Sequence, residues 1–213
     1  MIEIRKPETF GWEGAIRGMR NPMNSWKRSD SKWSEIFIGF ELGENDLDLC
    51  AKLISAGPEH RKFLRMIRVQ MDITAPLYWW KEFDTYKVGT VANSCSTMHR
   101  IHAKEFSLED FSTEHLTDES IEMLEKVILW LNGDRREFIR TKNKLYWWQM
   151  IQLLPSSYNQ KRTVDLNYET LMVIYKQRKN HKLDEWRTFC EAIKCLPYME
   201  DFLFAAGEAL EEE

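Results

Sequence analysis

A few side chains in this sequence have the types and spacing to hold an anionic, hydrogen-bonding ligand. They are Glu59-His60, Tyr86-Lys87, Asn93-x-x-Ser96, Lys161-Arg162, Asn167 and Arg178. The arginines are the strongest donors among them, because a planar guanidinium can meet carbonyl or phosphate oxygens with several hydrogen bonds at once. Lys87 and Lys161 add point charges, Asn93 and Asn167 add amides that both donate and accept, and Tyr86 adds a ring with a hydroxyl. Glu59 beside His60 can fix the imidazole tautomer. Each of these also has a purely structural use: a histidine after the Gly57-Pro58 turn can serve the turn, Asn167 can cap a helix, and Arg178 can complement a helix C-terminus.

Other chemistries have less behind them. Cys95, His99 and His102 are grouped locally, but their spacing matches no common structural zinc pattern, and no metal is expected. Cys50, Cys95, Cys190 and Cys195 are dispersed without a CxxC pair, so reduced thiols are expected, with Cys50 and Cys190 on apolar helix faces. No Ser/His/Asp or Cys/His constellation and no phosphate-cradling glycine loop is present.

The elements that must position these groups follow from periodicity and punctuation. Leu47, Cys50, Leu53 and Ile54 share one helical face, with Asn45 as the expected cap and Gly57-Pro58 as the stop, which delivers Glu59-His60 to the next element. Residues 68–73 alternate, with Val69, Met71 and Ile73 apolar, and predict a strand. Pro76 suits the first turn of a helix through Trp79-Trp80, and Gly89 to Ser96 reads as a loop. Residues 107–119 are acidic and aperiodic, which predicts a surface connection. Ile121, Leu124, Ile128 and Leu131 define a helix that Asn132-Gly133 is expected to close. Further helices are expected up to Leu153-Leu154-Pro155, from about Asn167 to Arg178, and from about Leu183 to Leu196. The switch between two-residue and helical periods predicts an α+β fold, a small sheet packed with several helices.

Three segments together resemble the flavin-dependent thymidylate synthases. That family's Arg-His-Arg triplet, first serine, Asn-Glu and Ser-x-Arg fall on Thr85-Tyr86-Lys87, Thr90, Asn93-Ser94 and Ser96-x-Met98. Asn93 and Ser96 are identities, Lys87 and Thr90 are chemical echoes, and Tyr86, Ser94 and Met98 are departures that remove charge. Leu154-Pro155, Tyr158, Lys161-Arg162, Asn167, Leu171 and Arg178 are similar to the closing signature, and Ala15 to Arg20 resembles the short N-terminal Ala- and Arg-containing helix. The resemblance covers residues 14–204 in collinear order. It implies a thymidylate-synthase-complementing-protein-like fold with a mostly antiparallel sheet, and methylation of deoxyuridine monophosphate (dUMP) or a related pyrimidine nucleotide. It further implies reduced FAD as hydride source, methylenetetrahydrofolate as one-carbon donor and NADPH as reductant. In that frame His60, Tyr86, Lys87, Asn93 and Asn167 bind the cofactor. Ser96, Lys161, Arg162 and Arg178 bind the nucleotide, with Arg178 also the catalytic anchor. The alternative is a non-catalytic descendant that keeps the fold to bind a nucleotide or a protein.

Composition bounds these readings. A chain of 213 residues is expected to form a single domain, 1–213, with 207–213 as a frayed acidic tail. The hydrophobic fraction of 43% excludes a disordered chain. Nine tryptophans offer apolar surface for core, ligand stacking or subunit contact, and a homo-oligomer, a tetramer by the resemblance, is expected. A net charge of −4 gives no general attraction to duplex nucleic acid, and no apolar run long enough to cross a bilayer is present. The protein therefore reads as soluble and cytoplasmic.

Overall fold

The computed structural model describes residues 2–34 and 39–208. It is an α+β fold in which eight helices among the described residues pack on a small antiparallel sheet. The chain forms two compact units. The first contains the N-terminal residues to Arg5, Asp72–Thr85 and Ala92–Thr163, and the second Lys6–Met71, Tyr86–Val91 and Val164–Glu213. Four strands, β1 (Glu3–Phe10), β4 (Arg68–Pro76), β5 (Val91–Ser94) and β6 (Asn159–Asn167), form one sheet in the order β1-β4-β6-β5. A separate antiparallel pair, β2 (Lys32–Ser34) and β3 (Gly39–Glu41), sets Trp33 opposite Phe40.

The central strand β4 forms where alternation predicted it and runs three residues further. Val69, Met71 and Ile73 are buried, while Arg68, Gln70 and Asp72 take the other face. Its antiparallel partner β6 lacks so clean a signal. Val164 and Leu166 are buried at alternate positions, but Gln160 and Arg162 occupy the same face and break the apolar pattern. Side-chain pairs record the register: Asp165 accepts from Gln70 at 2.8 Å and pairs with Arg68, and Thr163 donates to Asp72 at 2.6 Å.

In the first unit, helix α3 (Leu77–Phe83) buries Trp79, Trp80 and Phe83. Helices α4 (Asp118–Thr141) and α5 (Lys144–Leu153) pack around Ile101, Phe106, Phe111, Leu124, Ile128, Leu131 and Met150. The expected stop at Asn132-Gly133 does not occur, and α4 continues to Thr141. Asn132 is buried, and its side chain accepts from Phe106 N at 2.9 Å and donates to Phe106 O at 2.8 Å, which ties the 107–119 connection to the helix. That connection is not purely surface, since Phe111 enters the core.

In the second unit, α1 (Trp12–Met19), α2 (Glu44–Ser55), α6 (Tyr168–Arg178), α7 (Asp184–Lys194) and α8 (Met199–Ala205) share an aromatic core. Trp12, Tyr168 and Phe202 meet there at centroid distances of 5.2 to 6.4 Å. Helix α2 begins two residues earlier than expected: its cap is Gly43, and the Asp30 carboxylate, rather than Asn45, accepts the N–H groups of Asn45 and Asp46. Asp46 is fully buried and pairs with the buried Arg20 at 2.5 Å. Burial pushes its carboxyl up, but hydrogen bonds from Ser31, Ser29 and Arg20 outweigh that and hold it below the usual carboxylate range. Of the expected acidic tail, residues 209–213 lie outside the described residues.

Candidate functional site

The second unit holds His60, Tyr86, Lys87, Asn167 and Arg178, and the first holds Asn93, Ser96, Lys161 and Arg162. In the second unit the site is built on the two ends of α6. Asn167 is the N-cap: its side-chain oxygen accepts from Thr170 N at 2.9 Å and from the Thr170 hydroxyl at 3.1 Å. The same hydroxyl lies 3.1 Å from Val88 O, so its single hydrogen is shared between Val88 O and the Asn167 side-chain oxygen, which fastens the 86–91 loop over the first turn of the helix. Gly89 has a φ of +71°, and a Cβ there would stand 2.4 Å from the Asn167 amide nitrogen, so only glycine permits this approach. Thr90 has a buried hydroxyl with no hydrogen-bond partner. Lys87 is exposed and makes no ion pair among the described residues.

At the other end of α6, Arg178 Nε donates to the Tyr86 hydroxyl at 2.9 Å, and that hydroxyl donates to Gln177 Oε1 at 2.8 Å. The guanidinium carbon lies 4.7 Å from the Trp186 ring centroid and 5.7 Å from that of Tyr86. Arg178 is thus held against aromatic rings, a geometry that fixes the direction of its fork. The sequence reading placed both residues at the site without pairing them.

His60 stands apart from this pair. It is exposed, 3.8 Å from Glu59 Oε1, and lines a cavity of about 520 Å³ with Met19, Leu53, Phe63 and Met66. Its neighbour Arg61 is the residue that reaches α6, through an ion pair with Glu169 at 3.0 Å whose second carboxylate oxygen is buried without a partner. Neither Arg61 nor Glu169 was singled out from the sequence, because nothing local distinguishes them from surface charges.

In the first unit the expected ligand cations have internal partners. Lys161 pairs with Asp72 at 2.8 Å. Arg162 donates to Asp84 at 2.7 Å and to Gln160 at 3.0 Å, and its guanidinium lies 4.2 Å from the Trp80 ring centroid. Gln160 extends the network by donating to Cys95 O at 2.6 Å, while Trp80 donates to Gln160 O at 2.9 Å. Asn93 is exposed on β5, which replaces the expected loop with a strand. Ser96 closes a turn, its hydroxyl accepting from His99 N at 2.9 Å and Met98 N at 3.3 Å. Among the described residues no group of three or more His, Cys, Asp or Glu side chains could hold a metal ion, and no helix is long and apolar enough to cross a membrane.

No family model matches the sequence, and no curated protein matches it. Solved structures do. One is thymidylate synthase X (ThyX) from Helicobacter pylori with FAD and dUMP, at a TM-score of 0.67 and 15% identity, covering 98% of this chain and 100% of that one. Another is the flavin-dependent thymidylate synthase ThyX from Helicobacter pylori complexed with FAD and dUMP, at a TM-score of 0.64 and 17% identity, covering 95% and 97%. The chain therefore has a flavin-dependent thymidylate synthase-like fold.

Proposed function

We propose that this protein is a divergent flavin-dependent thymidylate synthase-like enzyme that binds a pyrimidine nucleotide, dUMP or a close relative, beside a flavin. The observation that carries this reading is the Arg178–Tyr86–Trp186 arrangement, which presents an oriented guanidinium on a fold shared with proteins crystallised with FAD and dUMP. The residues around the N-terminus of α6 fit FAD: the Thr90 hydroxyl is unpartnered, Lys87 supplies a charge for phosphate, and Gly89 lets the loop close on the Asn167 amide. Asn167, Lys87, Tyr86 and His60 of the second unit would hold the cofactor, and Asn93 of the first is proposed for it as well.

When bound, reduced FAD supplies hydride while methylenetetrahydrofolate supplies the carbon and NADPH restores the reduced state. The chain's own contribution is position and charge. In the second unit Arg178 anchors the pyrimidine carbonyl or phosphate and Tyr86 orients the guanidinium; in the first, Ser96, Lys161 and Arg162 are the side chains proposed for the nucleotide. The cytoplasm is the proposed compartment, the whole chain the proposed functional domain, and a homotetramer the proposed assembly.

A second reading has its own support. Lys161 and Arg162 are neutralised by Asp72 and Asp84, and Arg178 already serves its aromatic neighbours. A non-catalytic descendant that binds nucleotide without methylating it accounts for those pairings. The visible absorption spectrum of the purified protein, followed by FAD titration and a methylation assay with dUMP, methylenetetrahydrofolate and NADPH, tests both. Retained flavin and a methylated product support the enzyme. Nucleotide binding without product supports the second reading, and failure to bind FAD or dUMP rejects both.

A further inference from the structure

An aromatic-walled cavity lies wholly within the first unit. It has a volume of about 440 Å³ and is lined by His99, His102, Phe138, Lys144, Trp147 and Trp148. That volume suits one small ligand, and the walls are almost entirely rings. Trp147 and Trp148 meet edge to face at 4.7 Å, and His102 and Phe138 at 4.9 Å. Trp147 is held in place by its indole N–H, which donates to Met98 O at 2.9 Å, while Trp148 is 47% exposed and open to contact.

Among the lining residues Lys144 carries a positive charge, in a protein whose net charge is −4. Arg100, Arg135 and Lys142 lie close enough to His102 to disfavour its protonation, which burial opposes first. The Lys142 ammonium sits 5.9 Å from the Phe138 ring centroid. Arg100, Lys142 and Lys144 form no ion pair among the described residues. Unpaired cations around stacking rings are the arrangement by which proteins hold a base together with its phosphate: the π-face is captured by indole and the anion by lysine or arginine.

From this geometry we infer that the cavity between Trp147, Trp148 and His102 is a binding site for a nucleotide, with the base against Trp148 and the phosphate at Lys144 and Lys142. None of the lining residues is assigned above to flavin or nucleotide; the nearest assigned group in the structure is Ser96, whose hydroxyl accepts from His99 N at 2.9 Å.

The test is calorimetric titration of the full chain with AMP, GMP and the corresponding nucleosides, using wild type, W148A and K144Q, with thermal melts to verify folding. Trp148→Ala is expected to weaken binding of at least one nucleotide about tenfold or more. Lys144→Gln should weaken the nucleotide but not its nucleoside. The inference is overturned if wild type binds none of the probes, or if Trp148→Ala and Lys144→Gln bind like wild type. A folded Trp148→Phe variant that restores binding confirms stacking as the cause.

Discussion

Arg178 and Tyr86 act as one unit: the arginine Nε donates to the tyrosine hydroxyl at 2.9 Å, and the guanidinium stays against Trp186 at 4.7 Å. This contact gives Arg178 a stability role in addition to the ligand role proposed for it. Arg178→Ala removes a hydrogen bond of about 0.5–1.5 kcal/mol and a cation–π contact of about 0.5–2 kcal/mol. Thermal or urea unfolding should show a loss of about 1–2 kcal/mol, and dUMP affinity should fall about tenfold or more. An unchanged melt would refute the structural part, and unchanged affinity the anchor.

Gly89 is the hinge of the loop against α6. Gly89→Ala puts a methyl 2.4 Å from the Asn167 amide nitrogen and forces a non-glycine residue to φ +71°. The expected cost is about 1–3 kcal/mol, from left-handed backbone strain and the displaced cap. FAD titration by fluorescence should show weaker binding than wild type. A variant as stable as wild type would show that the loop accommodates the methyl freely.

The Arg20–Asp46 pair predicts a particular acid sensitivity. Asp46 has its folded-state pKa lowered from an ordinary value of 3.8. Its contribution is therefore fully present above about pH 4 and is lost as pH falls below that toward its folded-state pKa. Asp46→Asn leaves Arg20 buried with no carboxylate and should cost about 3–5 kcal/mol near neutral pH. Urea midpoints measured at pH 3 and pH 6 should converge between wild type and variant at the lower pH. A constant difference across that range would contradict the assignment.

Neighbouring positions in α4 should respond in opposite directions. Asn132→Ala leaves the Phe106 N–H and C=O without their buried partner, at about 1–3 kcal/mol for each unsatisfied group. Gly133→Ala meets nothing within 4 Å and should stabilise the helix by about 0.5–1 kcal/mol. Melting temperatures of the two variants, one below and one above wild type, check both assignments.

The local features of this fold were legible from sequence. Alternation at Val69, Met71 and Ile73 marked β4, Asn167 marked the start of α6, and Leu154-Pro155 marked the end of α5. These signals are carried by residues close in the chain, so period and capping chemistry suffice to read them. The strand β6 was missed because Gln160 and Arg162 occupy the face that Val164 and Leu166 bury, and their cost is offset by Trp80, Asp84 and Cys95, all distant in sequence. Asn132-Gly133 read as a helix stop because Asn and Gly commonly end helices. Only the folded chain shows Asn132 turned inward to the Phe106 backbone.

What the sequence determined by itself is the α+β class, the main helices and the residue types able to hold an anion. Which of those charges remain available was decided by tertiary structure. Strand register set Lys161 against Asp72, and chain folding set Arg162 against Asp84 and Arg178 against Tyr86 and Trp186. The physical reason is that a charge's availability depends on the partner brought within a few ångströms of it, and such pairings between distant segments leave no periodic mark along the chain.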